Sequence, residues 1–133
     1  MRRVLFLSLA AAIATAALAA TTAGAQTVTK FSVVEKVKAA KRTDCCFVTT
    51  GVLLSPTTGG KVGTDKVKFN QARPHVGGVF YFPDGKLKVA GDLRHRKVPI
   101  VGGTSRWDGA SGKLKFEPLS RRKTELTFTV VQG

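Results

Sequence analysis

The sequence has 133 residues, and its 22 Lys and Arg against 8 Asp and Glu give a formal charge of +14. That length, once a leader is set aside, holds one domain and excludes two. The cationic excess favours salt-sensitive contact with anionic surfaces and says nothing about fold, while 2 cysteines and 2 histidines without ligand spacing make a zinc site improbable.

Arg2 and Arg3 precede an apolar, alanine-rich run from Val4 to Ala20, and Ala23-Gly24-Ala25 places small residues just before Gln26. This pattern predicts a secretory signal peptide over 1–25, cut after Ala25, and a secreted or cell-envelope β-barrel domain over 26–133. A membrane anchor is the weaker reading, because Val4–Leu18 is short for a span and threonines follow it rather than basic residues. The remaining domain keeps 20 of the 22 basic residues against all 8 acidic ones, a formal charge of +12.

From Gln26 onward no helical period persists, and short apolar runs are bounded by Gly, Pro, Asn, Asp and Thr. The expected strands are Val28–Ala39, Cys46–Leu54, Lys61–Asn70, Gly78–Phe82, Lys86–Gly91, Leu93–Val101, Lys113–Glu117 and Thr124–Val131. The fold class is therefore all-β. A single antiparallel set of eight strands can close into a β-barrel, which removes exposed edges and leaves room for side chains or one small ligand.

Adjacent Cys45 and Cys46 are the only cysteines. Neighbours on a regular strand point to opposite faces, so a bridge between them requires a distorted turn, most simply at Thr43-Asp44. One buried and one exposed thiol, or an intermolecular bridge, are the alternatives. The tetrad Lys-apolar-Lys-apolar occurs at Lys66–Phe69, Lys86–Val89 and Lys113–Phe116. Alternation puts the apolar members inside and six lysines outside, either as protection against edge pairing or as a face for anionic polymers.

The stretch Gly78–Phe116 carries the most organisation. Val79-Phe80-Tyr81-Phe82, the turn Pro83-Asp84-Gly85 and Lys86-Leu87-Lys88-Val89 form a hairpin, and Gly102, Gly103, Gly109 and Gly112 frame a loop in which Trp107 is the one large side chain. This layout resembles the family that unites allene oxide cyclases and dirigent proteins, through Gly102, Gly103, Thr104, Trp107 and Gly112, with Asp108 and Gly109 closer to the cyclase side. Ser105 stands where the family usually has glycine, and Ser111 where dirigent proteins commonly carry arginine, so no arginine-dependent dirigent chemistry carries over. The resemblance implies a lumen for a small apolar or phenolic molecule, without cofactor, and a catalytic early-strand glutamate.

Glu35, within Phe31–Val37, is the candidate for that glutamate: facing an apolar lumen, its pKa would rise and it would protonate or orient a substrate, whereas outward it would pair with a lysine. Tyr81 and Asp108 are further catalytic candidates, each with an ordinary structural alternative at the barrel rim or in the glycine loop. Asp65, Asp84 and Asp92 read as turn or strand-end carboxylates. Phe80, Phe82 and Trp107 are candidate ligand-lining residues; the basic run 93–98 reads more simply as a solvated turn, but if it stayed extended either Arg94 with Arg96 or His95 with Lys97 would face inward and could hold an anionic group at the cavity mouth.

Two functions stay open from sequence. One is a secreted barrel that binds a small apolar or phenolic molecule and steers its cyclisation or coupling by confinement, which leaves open whether it is an enzyme of isomerase or dirigent type. The other is a non-enzymatic basic envelope protein holding anionic polymers on its lysines. Homo-oligomers fit either reading, and neither includes specific nucleic-acid recognition.

Overall fold

A computed structural model describes residues 21–23, 26–70, 72–93 and 95–133. The leader expected over 1–25 falls outside the described residues except for Thr21–Ala23, which form a short strand, β1, paired antiparallel with Gln26–Val28.

Eight longer strands follow: β2 (Gln26–Arg42), β3 (Cys46–Leu54), β4 (Lys61–Asn70), β5 (His75–Phe82), β6 (Gly85–Asp92), β7 (Lys97–Gly103), β8 (Ser111–Pro118) and β9 (Lys123–Gln132). Each pairs antiparallel with the next, and β2 also pairs with β9 from Thr27↔Gln132 to Lys36↔Lys123, so the sheet closes into an eight-stranded barrel. Closure pairs the edge groups of the first and last barrel strands with each other.

Strand alternation sets the two faces. Phe31, Val33, Leu53, Val67, Val76, Phe80, Leu87, Val89, Val98, Ile100, Leu114, Leu126, Phe128 and Val130 are buried inside, while Lys66, Lys68, Lys88, Lys113 and Lys115 are exposed outside. One end of the lumen is an aromatic plug. The Phe31 ring stacks on Phe128 at 5.0 Å and on Trp107 at 5.5 Å between centroids, and Phe82 meets Phe31 edge-on at 5.7 Å.

The glycine loop closes this end. Trp107 lies in a one-turn 3-10 segment, Ser105–Trp107, and is 1% exposed. Two clamps hold the turn: Arg106 Nη1 donates to Asp84 Oδ2 at 2.8 Å, and Gln132 Nε2 donates to the carbonyl oxygens of Arg106 at 2.9 Å and Asp108 at 3.0 Å.

The strand expected over Leu93–Val101 begins only at Lys97. His95 and Arg96 adopt positive φ, 53° and 61°, so the basic run is a turn. β2 runs on to Arg42 because a bulge between Val37 and Ala39 absorbs an extra residue.

Candidate functional site

The lumen's main polar feature among the described residues is a pair of carboxyl groups. Register explains how they meet. On β2, Glu35 stands opposite Leu53 of β3, and on β4, Asp65 stands opposite Gly51 of the same strand. The two side chains thus come from strands on either side of β3 and share its inner surface diagonally. Gly51 leaves the space they need: a Cβ there would lie 2.7 Å from the Lys36 carbonyl oxygen and 3.0 Å from Asp65 Oδ1.

Both groups are buried, Glu35 at 8% and Asp65 at 3% exposure. Apart from the Gly51 amide, no N–H or O–H group outside the pair reaches Glu35 Oε2 or either Asp65 carboxyl oxygen among the described residues. Two ionised carboxylates would leave these oxygens short of donors and the charges in mutual repulsion, whereas one retained proton turns the contact into a hydrogen bond. Asp65 accordingly has its pKa pushed up, first by burial, then by its hydrogen bond to Glu35 and by the Glu35 charge; the nearby Gly51 amide pulls less strongly the other way. The pair resembles a proton-sharing acid dyad, in which a protonated Asp65 can donate to a Glu35 oxygen.

Beyond the pair, away from the aromatic plug, the inward register of β3 and β4 continues through Thr49 and Val67 to Phe47 and Phe69, which are Cα partners. Phe47 is 38% exposed, and Phe69, Leu93 and Phe116 are partly buried against the core. This end of the barrel is rimmed by apolar side chains, with the carboxyl pair deeper in the lumen.

The candidate residues do not all gather here. Glu35 faces the lumen. Asp65, read from sequence as a turn carboxylate, is instead in mid-strand and inward; alternation with Val67 and Phe69 was the signal that places it. Tyr81 points outward and is 41% exposed, with the Lys86 ammonium 5.8 Å from its ring centroid, so it does not line the lumen. Asp108 is exposed in the glycine loop. Arg96 lies in the exposed turn and pairs with Glu117 at 3.6 Å, because positive φ breaks the strand that would have aimed it inward; Arg94 lies outside the described residues. Phe80, Phe82 and Trp107 are buried in the aromatic plug, where ring contacts occupy their faces.

Cys45 and Cys46 form a disulfide between sequence neighbours in the turn before β3. No group of three or more His, Cys, Asp or Glu side chains among the described residues is placed to hold a metal ion.

No protein-family model matches the chain, and no curated protein matches it by sequence. Among solved structures, pyocyanin demethylase superposes with a TM-score of 0.63 over 76% of this chain and 98% of that one, at 13% sequence identity. Identity this low shows a shared barrel fold and no more. It supports a barrel family without supporting the allene oxide cyclase or dirigent assignment.

Proposed function

We propose that the barrel binds a small apolar or aromatic molecule at the Phe47–Phe69 mouth, and that Glu35 and Asp65 move a proton to and from it. The observation that carries this reading is the dyad: three carboxyl oxygens buried short of donors cost stability wherever they occur, and such arrangements concentrate at functional sites. Asp65, holding the proton, acts as the acid, and Glu35 acts as the base, so a substrate carbon can gain a proton on one side and lose one on the other without a cofactor. Tautomerisation or cyclisation of a conjugated substrate is the matching reaction class. A solved barrel of this fold is named a pyocyanin demethylase, which is compatible with an aromatic ligand. Steering of cyclisation or coupling, as in allene oxide cyclases and dirigent proteins, is the narrower form of the same reading and rests on the Gly102–Gly112 loop together with Glu35. Export to the cell envelope or beyond belongs to this proposal, and a disulfide between Cys45 and Cys46 is consistent with an oxidising compartment.

1-Indanone, an apolar aromatic ketone with exchangeable protons beside its carbonyl, tests both halves. Titrated into 15N-labelled protein, it is expected to shift the amide signals of Phe47, Phe69, Glu35 and Asp65. In D2O the protein should accelerate deuterium uptake at the carbon next to the carbonyl, and Glu35→Gln should abolish the acceleration. Shifts confined to the outer lysine strands, or exchange equal in parent and Glu35→Gln, would sink the proposal.

A second reading is favoured by one register: Lys66 pairs across Val79 with Lys88, next to the Tyr81–Lys86 pair. An exposed aromatic among aligned lysines suits an anionic polymer, and this surface function is independent of the lumen.

A further inference from the structure

The Cys45–Cys46 disulfide lies in a depression of about 280 Å³ on the outside of the barrel, lined also by Lys68, Asn70, His75 and Gly77. We propose that it is a thiol–disulfide exchange site for small, carboxylate-bearing thiols. Three observations converge. First, the sulfurs are unequal: Cys45 is exposed, whereas Cys46 is 2% exposed, so an incoming thiolate meets Cys45 Sγ. Exchange rates depend on which sulfur can be reached.

Second, the lining includes one cationic side chain, Lys68, beside His75, whose Nδ1 lies 3.9 Å from Asp92 Oδ1. A positive charge beside the sulfurs stabilises the thiolate that leaves from Cys46 and attracts a thiol that carries carboxylates. Third, the turn does not depend on the sulfur bond for closure. The Thr43 amide donates to the Cys46 carbonyl oxygen at 2.7 Å, and the Cys46 amide donates to Thr43 Oγ1 at 3.1 Å. Opening the ring therefore leaves the β2–β3 connection in place.

In the first step a small thiolate attacks Cys45 Sγ, the bond to Cys46 breaks, and the electron pair leaves on Cys46 Sγ, which takes a proton from water. A second thiolate then attacks the small-molecule sulfur of the mixed disulfide and releases Cys45 as its thiolate. Two small thiols are oxidised to one disulfide and the protein disulfide is reduced to two thiols, so electrons balance.

The test treats the folded chain with reduced glutathione, quenches with iodoacetamide and reads the intact mass. One added carbamidomethyl group, on the exposed Cys45, is expected while the circular dichroism spectrum stays native, and a second, on Cys46, once the quenched chain is unfolded. With oxidised glutathione, Cys46→Ser should form the glutathione adduct at Cys45, and Cys45→Ser should lose it. Lys68→Gln should slow reduction, because a leaving thiol with less positive charge beside it leaves more slowly. Cysteamine, which is cationic, should lose to glutathione here by more than it does on a free Cys-Cys disulfide peptide. Resistance of both thiols to alkylation until the barrel is unfolded in guanidinium, equal adducts on both single variants, or the peptide's own thiol preference would each overturn the proposal.

Discussion

Glu35 and Asp65 approach from opposite sides of β3 and share its inner surface beside Gly51, where one retained proton joins their carboxyl groups. The contact ties stability to pH. Asp65 has its pKa raised from 3.8 to about 9, chiefly by burial. Between those values the folded chain keeps a proton that the unfolded chain releases, so stability is whole below about pH 4, falls as pH rises and levels off above about pH 9. The slope is at most about 1.4 kcal/mol per pH unit. Urea unfolding across this range should show the decline, and Asp65→Asn should flatten it. A parallel decline in the variant would show that the proton resides elsewhere.

Gly51→Ala should break the same contact by crowding. Its Cβ would press on the Lys36 carbonyl oxygen, a backbone atom that cannot turn aside, and on Asp65 Oδ1. A cost of about 1–3 kcal/mol is expected, as for other overpacked interiors. Gly102 provides the control, since nothing lies within 4 Å of a Cβ there, and Gly102→Ala should stay within about 0.5 kcal/mol of the parent. Equal costs at the two positions would mean that Gly51 has no special role.

Much of the barrel was legible because alternation and turn chemistry are local. Lys61–Asn70 and Cys46–Leu54 read directly as strands with the bounds observed, and the lysine tetrads gave the outer face. The basic run at 93–98 reads from sequence as a strand or, more plainly, as a solvated turn; the turn forms, with His95 and Arg96 at positive φ, and the strand starts at Lys97. Glu35 could be placed on a strand but not on a face. The bulge after Val37 and the closure of β2 on β9 decide that, and both are long-range. Asp65 was missed for a related reason: a lone Asp between Thr64 and Lys66 looks solvated until strands on both sides bury it.

The outer lysines predict salt-dependent binding. With Lys66 and Lys88 in one row, the chain should be retained on heparin and elute earlier as each is changed to glutamine, with a shallower dependence on salt. Circular dichroism should be unchanged. Retention insensitive to both substitutions would remove the polymer-binding reading and leave the lumen proposal intact.

The closed end of the barrel gives the last prediction, because there the glycine pattern and the aromatic plug depend on each other. A Cβ at Gly103 would lie 2.7 Å from the Lys86 carbonyl oxygen and 2.8 Å from Trp107 Cβ, and Gly112 combines a φ of 116° with the Thr129 backbone directly above it. Gly103→Val or Gly112→Val should cost on the order of 1–3 kcal/mol each, and Trp107→Ala about 3–5 kcal/mol, since the ring is stacked on Phe31 and fully buried. Ser105 is the informative contrast. It holds a φ of 55°, so Ser105→Gly relieves about 1–2 kcal/mol of backbone strain and gives back most of it as unfolded-state entropy. That variant should unfold within about 1 kcal/mol of the parent, while the three neighbours are clearly weakened. Thermal unfolding of the four variants checks the set, and a Ser105→Gly loss as large as that of Gly112→Val would show that the loop is held by the serine side chain rather than by its backbone path.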